Sequence, residues 1–499
     1  MSTQPRTLID PAEIERNFRE IAPPLSPAEA ILESNRCVYC YDAPCTRACP
    51  THIDVPSFIK KIASGNLTGS ARVIFDANPI GGTCARVCPV EALCEGACVE
   101  KTLMQKPIEI GRLQRYATDA LFASGREVLR AGAPNGKSVG VVGSGPAGLS
   151  CATYLARLGY KVTVYERKPL AGGLDTYGMA EYKMTQAVSR DEVAQVARLG
   201  VEFRTDTEVG RDVSFEELER KHGAVFVGVG LGATQRLGIP GEDLPGVFDA
   251  LDFIERIKTR EWASVPVAPT VAVVGAGNTA VDAVTQAKRL GATRVLMIYR
   301  RTEREMPAYE YEFELAKQDA VEFWWLTAPV EVVPDASGER VGALRCVRME
   351  LTEADASGRR GVRAVAGSEF EIPVDMVVKA TGQSKMRDWL TKTANVETDA
   401  AGRVVVNRET MQTSNPKVFA GGDCVNGGRE AVDAAQTGKL AAQGIHHVLA
   451  GERVEFAGAR LPFVEKLPEE VPAAIPVAFD KPAASAEELG VKGYGKPER

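Results

Sequence analysis

Two hydrophobic patterns divide this chain at residues 132–136, a short segment that contains glycine and proline. Before this segment, apolar residues recur at helical spacing, as in residues 56–62 and 110–117, which is typical of amphipathic helices. After it, short apolar runs alternate with helical patterns over residues 137–142, 146–158 and 161–165, and again over residues 270–274, 279–290 and 294–299. Such an order predicts βαβ units. We therefore expect a helical N-terminal region followed by two Rossmann-like α/β units.

Length and composition narrow the class of protein. The chain has 499 residues, of which 44% are hydrophobic and 25% charged, and at roughly 150 residues per domain it has room for about three domains. Its net charge of −6 provides no basic surface of the kind that binds DNA or RNA. No run approaches the roughly 20 apolar residues that span a bilayer, and the N-terminus lacks the apolar core of a signal peptide. We expect a cytoplasmic protein with no nucleic-acid or membrane partner.

Eight of the eleven cysteines lie between Cys37 and Cys98. They form two runs, Cys37-x2-Cys40-x4-Cys45-x3-Cys49-Pro50 and Cys84-x3-Cys88-Pro89-x4-Cys94-x3-Cys98. In a reducing cytosol, clustered cysteines are metal ligands more often than disulfides, and proline after a cysteine of each run is typical of iron–sulfur sites. Two structural zinc sites are the alternative, because Cys-x2-Cys is also a zinc-binding spacing. We predict iron–sulfur clusters, which would make the chain an electron carrier.

The first α/β unit carries a glycine-rich turn between a strand and a helix, Gly143-Ser144-Gly145-Pro146-Ala147-Gly148. Such a turn brings the backbone and the helix N-terminus against a pyrophosphate. Glu166 ends the next apolar run, where a carboxylate accepts hydrogen bonds from ribose hydroxyls, and Gly172-Gly173 allows a second close approach. A merely structural tight turn is the alternative, but strand, turn, helix and terminal acid together predict a dinucleotide site.

The second α/β unit repeats this arrangement in Gly275-Ala276-Gly277-Asn278-Thr279-Ala280. Its second apolar run is followed by Arg300 and Arg301 instead of an acid. Guanidinium groups bind a 2′-phosphate bidentately, whereas a carboxylate favours a free 2′-hydroxyl. These residues therefore predict a nicotinamide site that prefers NADPH to NADH. The alternative is a solvated arginine face that pairs with Glu303 and Glu305.

Two later turns complete the dinucleotide pattern. Thr381-Gly382 follows one apolar run, and Gly422-Asp423 follows another just before a predicted helix near residue 430. The order of flavin unit, nicotinamide unit and return to the flavin unit resembles the two-dinucleotide-domain flavoprotein disulfide reductases. The resemblance implies FAD in the first unit, with contacts from Asp423, Ala431, Val432, Leu174, Lys183 and Val209. The α/β part of the sequence contains no Cys-x-x-Cys pair, which excludes thiol–disulfide exchange.

Iron–sulfur runs ahead of such an FAD domain are similar to the glutamate synthase small-subunit group, which includes the dihydropyrimidine dehydrogenases. The resemblance covers residues 30–450. The segment Asp42-Ala43-Pro44-Cys45 and the interval from Cys88 to Cys94 are similar to the dihydropyrimidine dehydrogenases. Gln114, sixteen residues after Cys98, also matches this branch, because the other branches tend to have glutamate there.

The same resemblance implies two [4Fe-4S] clusters. The ligands of the first would be Cys37, Cys40, Cys45 and Cys98, and those of the second would be Cys49, Cys88, Cys94 and Gln114. An amide in place of a thiolate removes negative charge from a cluster and changes its reduction potential. From the residues alone, the alternative is an all-cysteine second site completed by Cys84, with Gln114 on the surface of its helix.

The function implied by the resemblance is electron input to a dihydropyrimidine dehydrogenase. NAD(P)H would reduce FAD, and the clusters would pass single electrons to a partner subunit that contains FMN and iron–sulfur clusters and reduces uracil or thymine. The chain has no room for a further barrel of roughly 250 residues, so we expect a hetero-oligomer and assign no catalytic residue here. The alternatives are electron input to glutamate synthase or to a ferredoxin-linked transhydrogenase, and a non-catalytic iron–sulfur scaffold or redox sensor.

The expected fold is multidomain: an α-helical double [4Fe-4S] domain followed by two α/β Rossmann-like dinucleotide-binding domains, with the NAD(P) domain inserted into the FAD domain. The iron–sulfur domain covers residues 1–135. The FAD domain covers residues 136–265 and 381–452, and the NAD(P) domain residues 266–380. Residues 453–499 are rich in proline and alanine, which predicts an extended C-terminal tail.

Overall fold

The computed structural model describes residues 8–354 and 360–456, so nearly all of the predicted tail lies outside the described residues. The N-terminal region is α-helical, with helices α1 (Pro11–Asn17), α2 (Pro27–Asn35), α3 (Pro44–Ala48), α4 (Val55–Ala63), α5 (Leu67–Ala77), α6 (Gly81–Val87), α7 (Glu100–Leu103) and α8 (Ile110–Ser124). The helices predicted from apolar spacing are α4 and α8. Their apolar faces, including Phe58, Ile62 and Leu113, form the core of this region.

Local side-chain hydrogen bonds define where several of these helices begin. Ser26 and Glu29 form a capping box at the start of α2, in which the Ser26 backbone N–H donates to the Glu29 carboxylate at 2.8 Å. At α4, the Ser57 N–H donates to the Asp54 carboxylate at 3.1 Å. Such caps satisfy N–H groups that have no partner within the helix. They position the loops between the helices, which carry most of the clustered cysteines.

The strands of the described residues are β1 (Ser138–Val142), β2 (Lys161–Tyr165), β3 (Glu202–Arg204), β4 (Ala224–Val227), β5 (Val247–Asp249), β6 (Thr270–Val274), β7 (Arg294–Ile298), β8 (Glu322–Trp324), β9 (Thr327–Pro334), β10 (Val341–Ala354), β11 (Arg360–Ala364), β12 (Phe370–Pro373), β13 (Met376–Lys379) and β14 (Val418–Ala420). The first sheet is parallel, in the order β14-β4-β1-β2-β3. The second is also parallel, in the order β5-β13-β6-β7-β8. In the third, β10 pairs antiparallel with β9, β11 and β12.

The helices of the α/β part are α9 (Pro146–Arg157), α10 (Leu174–Tyr177), α11 (Gln186–Arg198), α12 (Phe215–Lys221), α13 (Ala250–Thr259), α14 (Asn278–Arg289), α15 (Glu310–Gln318), α16 (Arg387–Lys392), α17 (Asp423–Asn426) and α18 (Ala431–Ala450). Single-turn 3-10 helices cover Trp262–Ser264 and Glu303–Glu305. α9 links β1 to β2 and α14 links β6 to β7, as predicted. α18 packs along α9. No helix of the described residues has the length and apolarity needed to cross a membrane.

The chain passes from the first sheet to the second earlier than the sequence-based division places it. β5 pairs with β13 and therefore belongs to the second sheet, whereas the boundary at residue 265 assigns Val247–Asp249 to the FAD domain. The three residues of β5 are only half-buried. Such a short strand has no apolar run from which its sheet could be predicted.

Candidate functional site

A cavity of about 390 Å³ lies at the carboxyl ends of β1 and β2. In a parallel sheet this edge is where ligands bind. Most of the predicted flavin contacts line this cavity: Gly143, Ser144, Gly145, Pro146, Ala147, Glu166, Gly173, Leu174, Val209, Gly422, Asp423 and Ala431. The structure thus brings together residues from six separate segments of the chain, between Gly143 and Ala431.

Close backbone contacts explain the glycines of this cavity. A Cβ on Gly143 would lie 2.5 Å from the Gly228 carbonyl oxygen, and one on Gly173 would lie 2.6 Å from the Gly145 Cα. A Cβ on Gly148 would lie 2.0 Å from the Gly143 oxygen. Gly143 and Gly173 also have φ values of +93° and +58°, which favour glycine. Gly148 does not line the cavity, but it allows α9 to pack against the turn that does.

Glu166 is fixed at the cavity edge by hydrogen bonds. One carboxylate oxygen accepts from the Ser144 N–H at 3.1 Å and from the Ser144 hydroxyl at 2.6 Å. The other accepts from the Lys168 N–H at 2.9 Å. The Gly172 N–H donates to the Ser144 Oγ at 3.0 Å, so Gly172 supports the site through this network without lining the cavity. The network joins the two glycine turns and holds a carboxylate where a ribose hydroxyl could donate to it.

Lys183 and Val432 do not line this cavity. Val432 is buried in α18. The Lys183 Nζ lies 2.5 Å from the Asp282 carboxylate and 2.6 Å from the Glu312 carboxylate, on α14 and α15 of the second α/β unit. Although burial opposes the charge, Asp282 and Glu312 raise the pKa of Lys183 well above its usual value. The structure therefore assigns Lys183 to a buried ion-paired group and does not bring it to the flavin cavity.

A second cavity, of about 610 Å³, lies at the carboxyl ends of β6 and β7. The predicted nicotinamide-site residues that line it are Gly275, Gly277, Thr279, Arg300 and Arg301. Thr381 and Gly382, which the sequence-based division assigned to the FAD domain, line this second cavity as well. Asn278 and Ala280 do not line it. The Asn278 Oδ1 accepts from the Tyr309 N–H at 3.2 Å, and Ala280 is fully buried where α14 packs in the core.

The two cavities adjoin each other. Thr234, Leu251 and Gln383 line both of them. Thr234 belongs to a segment after β4, residues 228–234, that contributes to the wall of the first cavity and was not singled out from the sequence. The sequence does contain a pattern that could have identified this segment, because Gly228, Gly230 and Gly232 follow a buried strand. The shared wall places the two cavities side by side, and a direct transfer between their ligands requires that the two sites be adjacent.

The first set of predicted ligands converges in the helical region. Cys37, Cys40, Cys45 and Cys98 line one small cavity of about 20 Å³. Burial raises the pKa of Cys45 to about 12 and raises the pKa values of Cys37 and Cys40. Thiolates in such a site need a compensating positive charge, which iron would supply. Four converging sulfur donors fit an iron–sulfur cluster.

The second set lies where the helical region meets the first sheet. Cys49 and Cys88 pack against the core around that sheet, and Cys49 and Cys94 pack against the helical core. Interaction with the Cys84 thiol and burial raise the pKa of Cys88 well above its usual value, and burial raises those of Cys49 and Cys94.

Among the described residues, no three His, Cys, Asp or Glu side chains are placed to hold a single metal ion.

Cys84 interacts with Cys88 of this second set, and Gln114 contacts the same helix, α6. Gln114 is only 6% exposed, so it is not the surface residue of the alternative interpretation. Its Nε2 donates to the Gly81 carbonyl at 2.7 Å, at the start of α6. Cys84, on α6, is 4% exposed and its Sγ accepts from the Asn78 amide at 3.1 Å. The geometry therefore leaves both side chains as candidates for the fourth ligand.

Comparisons with known proteins agree with this arrangement. Residues 14–126 match the family described as dihydropyrimidine dehydrogenase domain II, 4Fe-4S cluster. Residues 137–438 match the family described as pyridine nucleotide-disulphide oxidoreductase. The predicted order of an iron–sulfur domain and FAD/NAD(P)-binding domains is thereby confirmed.

Two relatives match most of the chain, including both the iron–sulfur part and the dinucleotide-binding part. The chain is 38% identical over 444 residues to the glutamate synthase (NADPH) small chain of Escherichia coli, covering 86% of this chain and 93% of the relative. It is 33% identical over 432 residues to the NAD-dependent dihydropyrimidine dehydrogenase subunit PreT of Escherichia coli K12, covering 87% and 97%.

The solved structure of Mycobacterium tuberculosis FprA in complex with NADPH shares the fold. Its TM-score is 0.52 at 20% identity, and the match covers 64% of this chain and 87% of that one. Together with the family matches, the cavities and the cysteine sets describe an NAD(P)H-dependent oxidoreductase with FAD and 4Fe-4S iron–sulfur chemistry. The chain belongs to the pyridine nucleotide-disulphide oxidoreductase family, in the electron-input group that includes the glutamate synthase small chains.

Proposed function

We propose that the chain is the electron-input subunit of a dihydropyrimidine dehydrogenase. It takes a hydride from NAD(P)H in the second cavity onto FAD in the first, and passes single electrons through two [4Fe-4S] clusters. The acceptor is a separate subunit with FMN and iron–sulfur clusters that reduces uracil or thymine. FAD supplies the conversion between two-electron and one-electron chemistry. The protein's own residues position these groups.

The observation that carries the electron-input role is the location of Cys49. Its side chain packs against both the core around the first sheet and the core of the helical region. Cys88 packs against the first of these cores as well. A cluster held by these cysteines would lie where the helical region meets the domain that carries the flavin cavity. This arrangement supports a path for electrons from the flavin into the iron–sulfur region.

The acceptor is inferred from the residues around the clusters. The segment Asp42-Ala43-Pro44-Cys45 contributes Pro44 and Cys45 to the first cluster cavity, and Gln114 is buried beside α6. Both features favour the dihydropyrimidine dehydrogenase branch. A second candidate is electron input to glutamate synthase, which the 38% identity to a glutamate synthase small chain favours.

Reconstitution with each candidate partner tests the choice of acceptor. The holoprotein is combined with a pyrimidine-reducing FMN subunit or with a glutamate synthase large subunit, and oxidation of NADPH and NADH is followed by absorbance. We expect uracil-dependent oxidation with the first partner. Oxidation that depends on glutamine and 2-oxoglutarate with the second partner, and not on uracil with the first, would establish the second candidate. If neither nucleotide bleaches a bound flavin anaerobically, the chain is a scaffold or sensor.

We also propose that Arg300 and Arg301 select NADPH. Both line the second cavity, and the Arg301 Nε is buried without a hydrogen-bond partner among the described residues. Loss of a charge-assisted hydrogen bond, at about 1.5–3 kcal/mol, predicts that Arg301→Ala raises the KM for NADPH by about tenfold or more and leaves that for NADH unchanged. The matched control is Arg304→Ala, since Arg304 is exposed. Equal effects on both nucleotides would contradict the proposal.

Gln114 is proposed as the fourth ligand of the second cluster. Iron content and cluster spectra of Gln114→Ala and Cys84→Ala test this. We expect Gln114→Ala to lose or alter one cluster and Cys84→Ala to keep both. Loss of one cluster in the Cys84 variant alone would assign Cys84 instead.

A further inference from the structure

α18 carries a lysine of the flavin domain into the iron–sulfur region. Lys439 lies eight residues beyond Ala431, which lines the first cavity, and is only 5% exposed. Its Nζ donates to the carbonyl oxygens of Thr51 and Ala77, each at 3.1 Å. The ring of Tyr154 lies 5.6 Å from the same ammonium group. A buried cation is thus fixed at the boundary of the two regions.

The ammonium group lies close to a proposed cluster ligand. Thr51, whose carbonyl accepts from Lys439, has its Oγ1 3.4 Å from the Cys49 Sγ. The carbonyls of Thr51 and Ala77 therefore fix the Lys439 ammonium group near Cys49. Burial lowers the pKa of Lys439 to about 8, while the Cys49 thiolate favours the charged form. A cluster bound through Cys49 would add negative charge at this position.

We propose that Lys439 raises the reduction potential of the cluster that Cys49, Cys88 and Cys94 hold. Reduction moves one electron from the reduced flavin to this cluster, and no bond forms or breaks at the cluster. The added negative charge is attracted by a nearby cation in a medium of low dielectric constant. The cation therefore stabilises the reduced cluster more than the oxidised one. Lys439 would thus act on the reduction potential of the cluster without binding it. This inference rests on the proposed function, in which the cluster accepts electrons from the flavin.

Redox titration of the holoprotein, followed by electron paramagnetic resonance, tests this inference. Cys49→Ser first identifies the signal of the second cluster. We expect Lys439→Met, which has a similar length and no charge, to lower the midpoint potential of that cluster alone. The expected change is about tenfold or more in its reduction equilibrium relative to the other cluster. Lys439→Arg, which keeps the charge, should stay close to the wild type.

Two results would overturn the proposal. One is a second-cluster potential that is unchanged in Lys439→Met; the other is an equal shift in the Met and Arg variants, which would reflect packing and not charge. If Lys439→Met loses iron, Lys439→Gln decides by the same criteria, because its amide can still donate to a carbonyl. Lys417→Met, at an exposed lysine, is the matched control. A wild-type protein without two cluster signals would instead refute the proposed function.

Discussion

Glu192 joins the flavin domain to the helix that leads to the second cysteine set. One oxygen of its carboxylate accepts from the N–H groups of Gly82 and Thr83, at 2.7 and 3.0 Å. The other accepts from the Thr83 hydroxyl at 2.5 Å. α6 has no cap from its own N-cap residue, Ile80. Glu192, on α11, therefore acts as the N-terminal cap of α6 from a distant part of the sequence.

The cost of removing this cap follows from the contacts. Glu192→Ala leaves three buried donors unpaired, at about 1–3 kcal/mol each. Part of this loss is offset because a buried charge is also removed. Burial raises the pKa of Glu192 from 4.5 to about 7, which corresponds to roughly 3 kcal/mol against the charged form. We expect a net loss of about 3 kcal/mol in the free energy of unfolding and a loss of iron from one cluster.

Glu192→Gln tests the contribution of the charge separately from that of the hydrogen bonds. Its amide oxygen can accept from the two backbone N–H groups, and its NH2 can donate to the Thr83 hydroxyl. The pKa of Glu192 is higher in the folded state, so the wild type loses stability as the pH rises from about 4.5 to about 7. The glutamine variant does not undergo this loss. Relative to the wild type it should gain about 2–3 kcal/mol between pH 5 and pH 8.

Urea unfolding of the holoprotein, followed by circular dichroism and flavin fluorescence at pH 5 and pH 8, measures these differences. Asp191→Ala is the matched control, because Asp191 is the exposed neighbour of Glu192 on the same helix. An alanine variant that unfolds like the wild type would refute the capping role. A glutamine variant with the same pH dependence as the wild type would refute the raised pKa.

Three further predictions concern the α/β part. Gly173→Ala should lower FAD affinity by at least about tenfold, because its Cβ would lie 2.6 Å from the Gly145 Cα; fluorescence titration with FAD checks this, and unchanged affinity would contradict it. Tyr309→Phe removes a 2.6 Å hydrogen bond to Glu430 and should cost about 1–3 kcal/mol, seen as a lower unfolding midpoint. Asp175 is buried with neither carboxylate oxygen hydrogen-bonded among the described residues, and burial raises its pKa well above the usual value. Asp175→Asn should therefore gain stability over the wild type as the pH rises from 5 to 8. Urea unfolding measures this, and the same difference in free energy of unfolding at both pH values would contradict it.

The two βαβ units could be predicted from the sequence because parallel strands covered on both faces are continuous apolar runs. The predicted strands at residues 161–165 and 270–274 are β2 and β6 with the same bounds. The glycine turns could be predicted because close backbone approach excludes a Cβ. The apolar runs and the glycine turns together predict many of the residues that line the two cavities.

Other features depend on contacts that sequence spacing does not reveal. The third sheet escaped prediction because its exposed face is built from cross-strand ion pairs, as between Arg345 and Glu371 at 2.7 Å, and not from an apolar run. Lys183 follows the flavin-cavity segment in sequence, yet its partners Asp282 and Glu312 are about a hundred residues away. Such pairings depend on how the two α/β units meet, so local pattern cannot assign the side chain.

The iron–sulfur region contacts the flavin domain at α6, in the loop after Cys49 and at Asp76. Glu192 holds α6, Lys439 holds the loop after Cys49, and the Arg157 guanidinium donates to the Asp76 carboxylate at 2.9 Å. These three side chains come from α11, α18 and α9, so three helices of one domain fix the other. Direct electron transfer falls steeply with distance, and a fixed distance needs such a rigid boundary. If electrons pass from the flavin to the second cluster as proposed, this boundary also fixes the distance that they cross.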